Sequence, residues 1–347
     1  MERLDLRGSP DLSITRPPVA SEPIETVRNI IEDVRTRGDR ALREMTLRFD
    51  GVAVEELRVP GGVIDASLRE TPAPIREALE LAAANIRRFA TAQLVHPWSE
   101  TIDGATVGEA VTPVGRAGAY VPGGRATYPS TVLMSAIPAS VAGVVELALC
   151  VPPGPDGEVP SVTLAAAAIA GVSEVYRVGG AQAIAAMAFG TESIPKVDVI
   201  VGPGNIYVAL AKREVSGYVG IDSVAGPSEI AIVADGTADP TAIAYDLIAQ
   251  AEHGPDGSFV LVTWDEALAS AVDGALNRSF TEIGAGDALR TALERGSVVA
   301  LVQDLSQAIT VVDRFAPEHL ELIFDGAQDA AGSFRNAGAI FVGPYSP

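Results

Sequence analysis

Residues 174–205 read EVYRVGGAQAIAAMAFGTESIPKVDVIVGPGN, and their reading decides the fold. Glu174–Val178 is a short β-branched and aromatic run that ends in the turn Val178-Gly-Gly-Ala-Gln182 and passes into an alanine-rich helical segment, Ala181–Phe189. A second apolar run, Asp198–Val201, follows and ends in another glycine turn, Val201-Gly-Pro-Gly-Asn205. Strand, helix and strand in alternation argue for an α/β protein whose sheets are mainly parallel. Ligands of such sheets sit at the carboxyl ends of the strands, where the loops are.

The same alternation holds from about Thr112 onward. Further candidate strands are Ala117–Val121, Glu146–Val151, Ile230–Ala234, Phe259–Thr263, Ser297–Leu301 and Ala339–Val342, and further helical pieces are Val162–Ala170, Ile206–Val215 and Thr241–His253. Upstream the chain is mainly helical. Val27, Ile30, Ile31, Val34, Leu42 and Met45 recur at helical spacing between Ser21 and Phe49, with Gly38 dividing two helices. Thr71-Pro-Ala-Pro74 opens another helix running to about Gln93, and residues 1–20, polar and carrying Arg16-Pro-Pro18, read as an arm. No repeat of 20–50 residues is present.

Length and composition bound the function. A chain of 347 residues is long enough for about two domains. With 48% hydrophobic and 20% charged residues it has the material for a sizeable core. Its 25 basic and 45 acidic residues give a net charge of −20, which repels phosphate backbones and anionic lipid; a local pocket for a small anion remains compatible with it. The single cysteine, Cys150, excludes an internal disulfide framework and a cysteine-rich zinc module. The first residues lack a basic segment followed by an apolar one, so no secretory signal is expected. The most apolar stretch, from Ser130 to Pro152, is broken by Pro138 and Glu146, so no membrane span is expected either. These features predict a soluble, cytoplasmic protein. Lys196 and Lys212 are its only lysines.

Three strand-to-helix turns are glycine-rich: 178–182, 201–205 and Ala225-Gly-Pro-Ser228. Glycine lets backbone N–H groups approach a ligand, and a following helix N-terminus favours an anion. None is a dinucleotide fingerprint; Gly202-Pro-Gly-Asn-Ile-Tyr207 has tyrosine where the third glycine belongs. In Asp239–Gly254, Asp239 suits an N-cap, Pro240 the first turn and Gly254 the position past the end. Gln250 and His253 then share one face, one turn apart, and either hold a metal together or leave His253 to satisfy the helix terminus. Zinc usually takes at least three protein ligands. Glu318 and His319 lie in Ala316-Pro-Glu-His-Leu-Glu321, where Pro317 is expected to begin a helix. A histidine at that end stays neutral and able to accept a proton, and a surface role is equally open. His96, before Pro97-Trp98, reads as a surface or packing residue, and Cys150 as a buried packing residue rather than a nucleophile.

Taken together, these segments resemble the histidinol dehydrogenase family. The residues that carry the resemblance are Gly118-Ala-Tyr-Val-Pro-Gly-Gly124, Tyr128-Pro-Ser-Thr-Val-Leu-Met134, Gly179-Gly-Ala-Gln-Ala-Ile184, Gly202-Pro-Gly-Asn205, Ala225-Gly-Pro-Ser-Glu229, Gln250-Ala-Glu-His-Gly-Pro255, Ala316-Pro-Glu-His-Leu-Glu321 and Asn336-Ala-Gly-Ala339. The resemblance implies two incomplete Rossmann-like domains, one inserted in the other: residues 21–119 with 231–347, and residues 120–230. It implies an intertwined homodimer and a zinc- and NAD-dependent four-electron oxidation of L-histidinol through the aldehyde to L-histidine. By the same resemblance, Tyr120, Gln182 and Asn205 contact NAD, and Gln250 and His253 hold zinc. Ser228, Gln250, His253 and His319 border the substrate, and Glu318 and His319 move protons. The family continues beyond the Asn-Ala-Gly-Ala strand with a tail carrying two more zinc ligands, so the resemblance implies a half-built metal site in residues 1–347. Two other functions stay open: a related dehydrogenase acting on another polar alcohol, such as a sulfonated diol, and a non-catalytic NAD-binding remnant.

Overall fold

A computed structural model describes residues 1–15, 23–123, 127–224, 226, 228–252, 257–284 and 286–345. The candidate ligand His253 lies outside them. The chain divides into two units, Glu22–Gly226 and a discontinuous one made of Met1–Ser21 with Pro227–Pro347. Among the described residues no helix is long and apolar enough to cross a membrane.

The chain opens with a strand, β1 (Glu2–Asp5), which belongs to the discontinuous unit. The unit Glu22–Gly226 then begins with α1 (Ile24–Arg37), α2 (Asp39–Phe49), α3 (Gly61–Glu70) and α4 (Ala73–Ala92), followed by the ribbon β2 (Trp98–Ile102) and β3 (Ala105–Glu109). Its sheet is built from β4 (Arg116–Tyr120), β5 (Glu146–Val151), β6 (Glu174–Arg177), β7 (Val199–Val201) and β8 (Gly220–Ile221). The connecting helices are α5 (Pro129–Val141), α6 (Ser161–Ile169), α7 (Gly180–Phe189) and α8 (Ile206–Val215). All sheet pairs are parallel, in the order β6-β5-β4-β7-β8. Every residue of β4 is buried, as a parallel strand covered on both faces requires. Tyr120, Ala148 and Cys150 pack on one face with α1, α2, α7 and α8. Ala119, Leu149 and Val151 pack on the other with α4, α5 and α6.

This division differs from the expected one, in which 21–119 joins 231–347. The physical reason is where the N-terminal helices spend their apolar faces. Val27, Ile30 and Val34 of α1 and Leu42 and Met45 of α2 enter the cluster on one face of the five-stranded sheet, and Leu79 and Ala83 of α4 enter the cluster on the other. The expected mainly helical character of this region also omits the antiparallel ribbon of β2 and β3. Its turn is Asp103-Gly104, both residues at positive φ, which is the two-residue hairpin signature.

The discontinuous unit carries β9 (Glu229–Ala234), α9 (Pro240–Ala251), β10 (Ser258–Thr263), α10 (Glu266–Glu282), α11 (Asp287–Gly296), β11 (Ser297–Leu301), α12 (Leu305–Phe315), β12 (His319–Ile323) and β13 (Ala339–Val342). Its sheet is parallel throughout, in the order β1-β11-β10-β9-β12-β13. Two expectations are corrected here. The first residues of the expected arm form β1, paired with β11 along Glu2–Asp5. The helix expected from Pro317 is strand β12. Helix α12 ends at Ala316 in a left-handed conformation, and His319–Ile323 then lies between β9 and β13, with Leu320 and Leu322 fully buried on one face. Two neighbouring strands offer this backbone a complete hydrogen-bond ladder, which outweighs the local helix-start signal.

The five-stranded sheet holds one buried cation at its edge of entry. The Arg116 guanidinium, one-tenth exposed, donates to Glu146 at 2.6 Å and to Glu174, and Glu174 also accepts from the Tyr176 hydroxyl at 3.1 Å. Deleting Glu174 leaves a buried guanidinium short of a partner. The Glu174→Ala chain is expected to lose about 2 kcal/mol of stability in urea denaturation, while Glu146→Ala, which removes a half-exposed partner, loses less than about 1 kcal/mol.

Candidate functional site

In the unit Glu22–Gly226 the chain travels from β4 through β5 to β6 and then returns to the opposite side of β4 with β7. The loops leaving β4 and β7 therefore diverge, and a doubly wound sheet leaves its ligand crevice at that place. A cavity of about 740 Å³ lies there, lined by residues following β4, β5, β6 and β7, among them Tyr120, Pro152, Gly180, Gln182 and Asn205. The three residues that the family resemblance associates with NAD thus line one cavity. Pro160, Gly180 and Asn205, at the starts of α6, α7 and α8, belong to its lining, and the start of a helix favours an anion.

Each of the three is held by its neighbours. Tyr120 is buried, and its hydroxyl accepts from the Gly180 N–H at 3.1 Å. Burial pushes that phenol up to about 12, so it stays protonated and keeps its own O–H to donate. Asn205 is the N-cap of α8: its Oδ1 accepts from the N–H groups of Tyr207 at 3.1 Å and Val208 at 3.2 Å. Its carboxamide NH₂ is what remains for a ligand. Gln182 is buried in the first turn of α7. Cys150 also lies in this unit, fully buried, with its thiol pushed up by burial to about 12; it packs and is no thiolate nucleophile.

The 201–205 turn has an anchor that the sequence reading missed. Gly202 has φ +113°, and a Cβ there would run into the Tyr120 carbonyl. Its N–H donates to Asp222 Oδ2 at 2.8 Å, and its carbonyl accepts from Lys212 Nζ at 2.9 Å. Lys212, buried to 3% side-chain exposure, also pairs with Asp222. One buried ammonium thereby fixes the turn that caps the cavity. The signal was present in the sequence as one of two lysines in the chain, sitting in an apolar helix.

The discontinuous unit gathers the other candidates at the amino edge of its sheet. Glu318 precedes β12, and its Oε2 accepts from the Glu229 N–H at 3.4 Å. His319 opens β12 opposite Ile230 of β9 and is half-buried beside the Phe341 ring, 5.9 Å between centroids. Ser228 immediately precedes β9, and its carbonyl accepts from the Ser258 N–H at 3.2 Å. Helix α9 starts as expected, with Asp239 accepting from the Thr241 N–H at 2.8 Å, and runs back toward the same edge. Asp246 of α9 meets Glu321 of β12. Gln250 is one turn further along α9, and His319 is two residues back along β12 on the Glu321 face. Both steps run toward the amino edge of the sheet. Ser228, Gln250, Glu318 and His319 are therefore brought to one edge. His96, by contrast, is exposed in the loop before β2.

The Gln250 amide offers one test of a metal. Its Nε2 is buried without a hydrogen-bond partner, and a half-turn of the amide places Oε1, the atom a metal would take, in that position. Yet among the described residues no group of three or more His, Cys, Asp or Glu side chains is placed to hold a metal. The described residues do not by themselves make a zinc site.

A parallel α/β chain with a helix-capped crevice at a strand-order reversal, and an acid beside an imidazole on a second sheet edge, has the layout of an oxidoreductase. The chain belongs to the histidinol dehydrogenase family, whose model matches residues 16–347. It is 49% identical to the histidinol dehydrogenase of Methylococcus capsulatus over 326 residues, 93% of this chain and 74% of that protein. It is 46% identical to that of Gluconobacter oxydans over 347 residues, 99% of this chain and 78% of that protein. The crystal structure of histidinol dehydrogenase from Elizabethkingia anophelis superimposes with a TM-score of 0.90 at 34% identity, covering 96% of this chain and 77% of that one. This chain is accordingly an enzyme of an oxidoreductase family of histidine biosynthesis.

Two outcomes check these placements. Lys212→Met leaves Asp222 and the Gly202 carbonyl without their buried partner and is expected to cost about 3 kcal/mol in urea denaturation. The second concerns Glu321, buried at 4% exposure. Burial, with Asp246 beside it, holds its carboxyl above the ordinary 4.5, at about 8, and burial raises Asp246 as well. The folded chain thus binds more protons than the unfolded one between about pH 4.5 and 8, so this contribution to stability is lost as pH rises through that window. The urea midpoint is expected to fall more steeply from about pH 5 to about pH 8.5 in the original chain than in Glu321→Gln, which stays neutral throughout; equal slopes would contradict the shared proton.

Proposed function

We propose that the chain oxidises L-histidinol through L-histidinal to L-histidine, with NAD bound in the cavity beside Tyr120, Gln182 and Asn205. What supports this reading is that Ser228, Glu318 and His319 stand at one sheet edge, toward which the helix carrying Gln250 runs, in a chain whose relatives are named histidinol dehydrogenases. A homodimer is part of the same reading. So is zinc, toward which Gln250 and His253 would be two of the ligands.

Two molecules of NAD, bound in turn, would supply the two hydride acceptors. His319 removes the carbinol hydroxyl proton as the hydride leaves, which gives the aldehyde. Its place at a strand end, half-buried and against Phe341, leaves the imidazole in reach of a ligand while restricting its rotation. Glu318, exposed beside it, takes a proton from water so that the aldehyde is hydrated, and the second hydride leaves from the hydrate. Ser228 and the Gln250 amide orient the polar ends of the substrate. Positioned acid–base groups of this kind contribute about 10²- to 10⁴-fold.

Following NADH formation with L-histidinol and separately with L-histidinal tests the reading. His319→Gln is expected to lower kcat for histidinol by about 10²- to 10⁴-fold. Glu318→Gln should slow oxidation of histidinal far more than its formation. A chain that forms NADH from a sulfonated diol and none from histidinol would overturn the substrate assignment.

A further inference from the structure

We propose that Asp50 reads the ribose diol of the adenosine half of the bound dinucleotide and turns away a 2′-phosphate. This inference rests on the reading that NAD occupies the cavity of the unit Glu22–Gly226.

Asp50 is the residue on which α2 ends, its N–H donating to the Thr46 carbonyl at 2.9 Å. It lines the cavity together with Tyr120 and Gln182. Its Oδ2 is buried with no hydrogen-bond partner, and so is the Thr46 hydroxyl one turn earlier. A carboxylate in this place does nothing for the helix, because a helix C-terminus carries partial negative charge and is stabilised by cations. An acceptor that is buried and unpaired calls for a donor from outside the chain. Burial alone pushes the Asp50 carboxyl up to about 6, which still leaves it mainly ionised at neutral pH.

The rest of the lining says what that donor is. Among the described residues Asp50 is the one ionisable carboxyl on the cavity wall, and no lysine, arginine or histidine stands there with it. The other polar side chains are neutral hydroxyls and amides, and the anion-binding capacity lies at the starts of α6, α7 and α8. A pyrophosphate is served by those helix ends. Two neighbouring hydroxyls match the two oxygens of a carboxylate, as in the acidic residue that reads a ribose 2′-OH in dinucleotide folds generally. A phosphate monoester in the same place would meet a like charge, and among the described lining residues no cation offsets it.

The test is calorimetric titration of the full chain with NAD, NADP and NAD lacking the adenosine 2′-hydroxyl, for the original sequence and for Asp50→Ala and Asp50→Asn. The original chain should bind NAD about ten- to a hundredfold more tightly than either of the other two ligands. Asp50→Ala should lose that preference, binding NAD and its 2′-deoxy form equally and NADP within about threefold of NAD. Asp50→Asn, which keeps the shape and removes the charge, should bind NADP better than the original chain does. Urea midpoints for both variants should be no lower than the original, because the carboxylate lacks a partner within the chain. If Asp50→Ala weakens NAD and 2′-deoxy-NAD alike and leaves the NAD-to-NADP ratio unchanged, Asp50 is structural and the inference fails while the NAD reading stands. If the original chain binds none of the three ligands, the NAD reading fails and takes the inference with it.

Discussion

A parallel sheet can be continued in one direction only until the chain turns back, and that reversal shapes this protein. Right-handed crossovers carry β4 to β5 to β6 on one side, and the crossover to β7 must then return past β4. The loops after β4 and β7 leave toward opposite faces, so nothing in the sheet itself fills the space between them. Tyr120, Gln182 and Asn205 are separated by up to 85 residues, yet each follows or caps a strand or helix that opens onto this gap. The glycine turns serve the same constraint: at Gly202 a side chain would collide with the β4 backbone. The Lys212–Asp222 pair then holds the 201–205 turn from beneath.

Buried polar groups separate the parts of the molecule that are structural from those that await a ligand. Arg116 and Lys212 are buried cations whose hydrogen bonds reach acceptors within the chain. Asp50 Oδ2 and Gln250 Nε2 are buried and unpartnered, one on the wall of the cavity and the other on the helix that runs to the acid–imidazole edge. Unsatisfied groups of this kind are few in a folded protein, so each asks for a physical explanation. The Thr46 hydroxyl, Arg116 Nε and Glu321 Oε2 are unpartnered too, the last on a carboxyl that burial beside Asp246 keeps protonated.

Much of this was legible in the amino-acid order. The strands Glu146–Val151, Ser297–Leu301 and Ala339–Val342 and the helix Ile206–Val215 stand where the periodicity puts them, because continuous apolar runs and alanine-rich stretches bounded by glycine carry their own signal. The Asp239 cap and the Gly38 break are equally local. The residues of the two clusters were named by motif before any contact was known. Strand β12 was not legible: two buried leucines flanked by polar residues are too short a pattern against a proline that looks like a helix start, and only the open ladder between β9 and β13 decides it. Strand β1 was obscured for the same reason, since a polar four-residue strand is made by its partner β11.

What the sequence by itself determined is the α/β class and most element positions, because backbone propensity, apolar period and turn chemistry act over a few residues. What the tertiary structure alone decided is which of those residues share a surface and what surrounds them. Asp50 stands on the cavity wall at the end of α2, which packs on α7, Glu321 keeps its proton because it is buried beside Asp246, and the N-terminal helices join the five-stranded sheet because their apolar faces fit there. Burial, and the charge states that follow from it, belong to the assembled chain, since they depend on which distant segments exclude water from a given side chain.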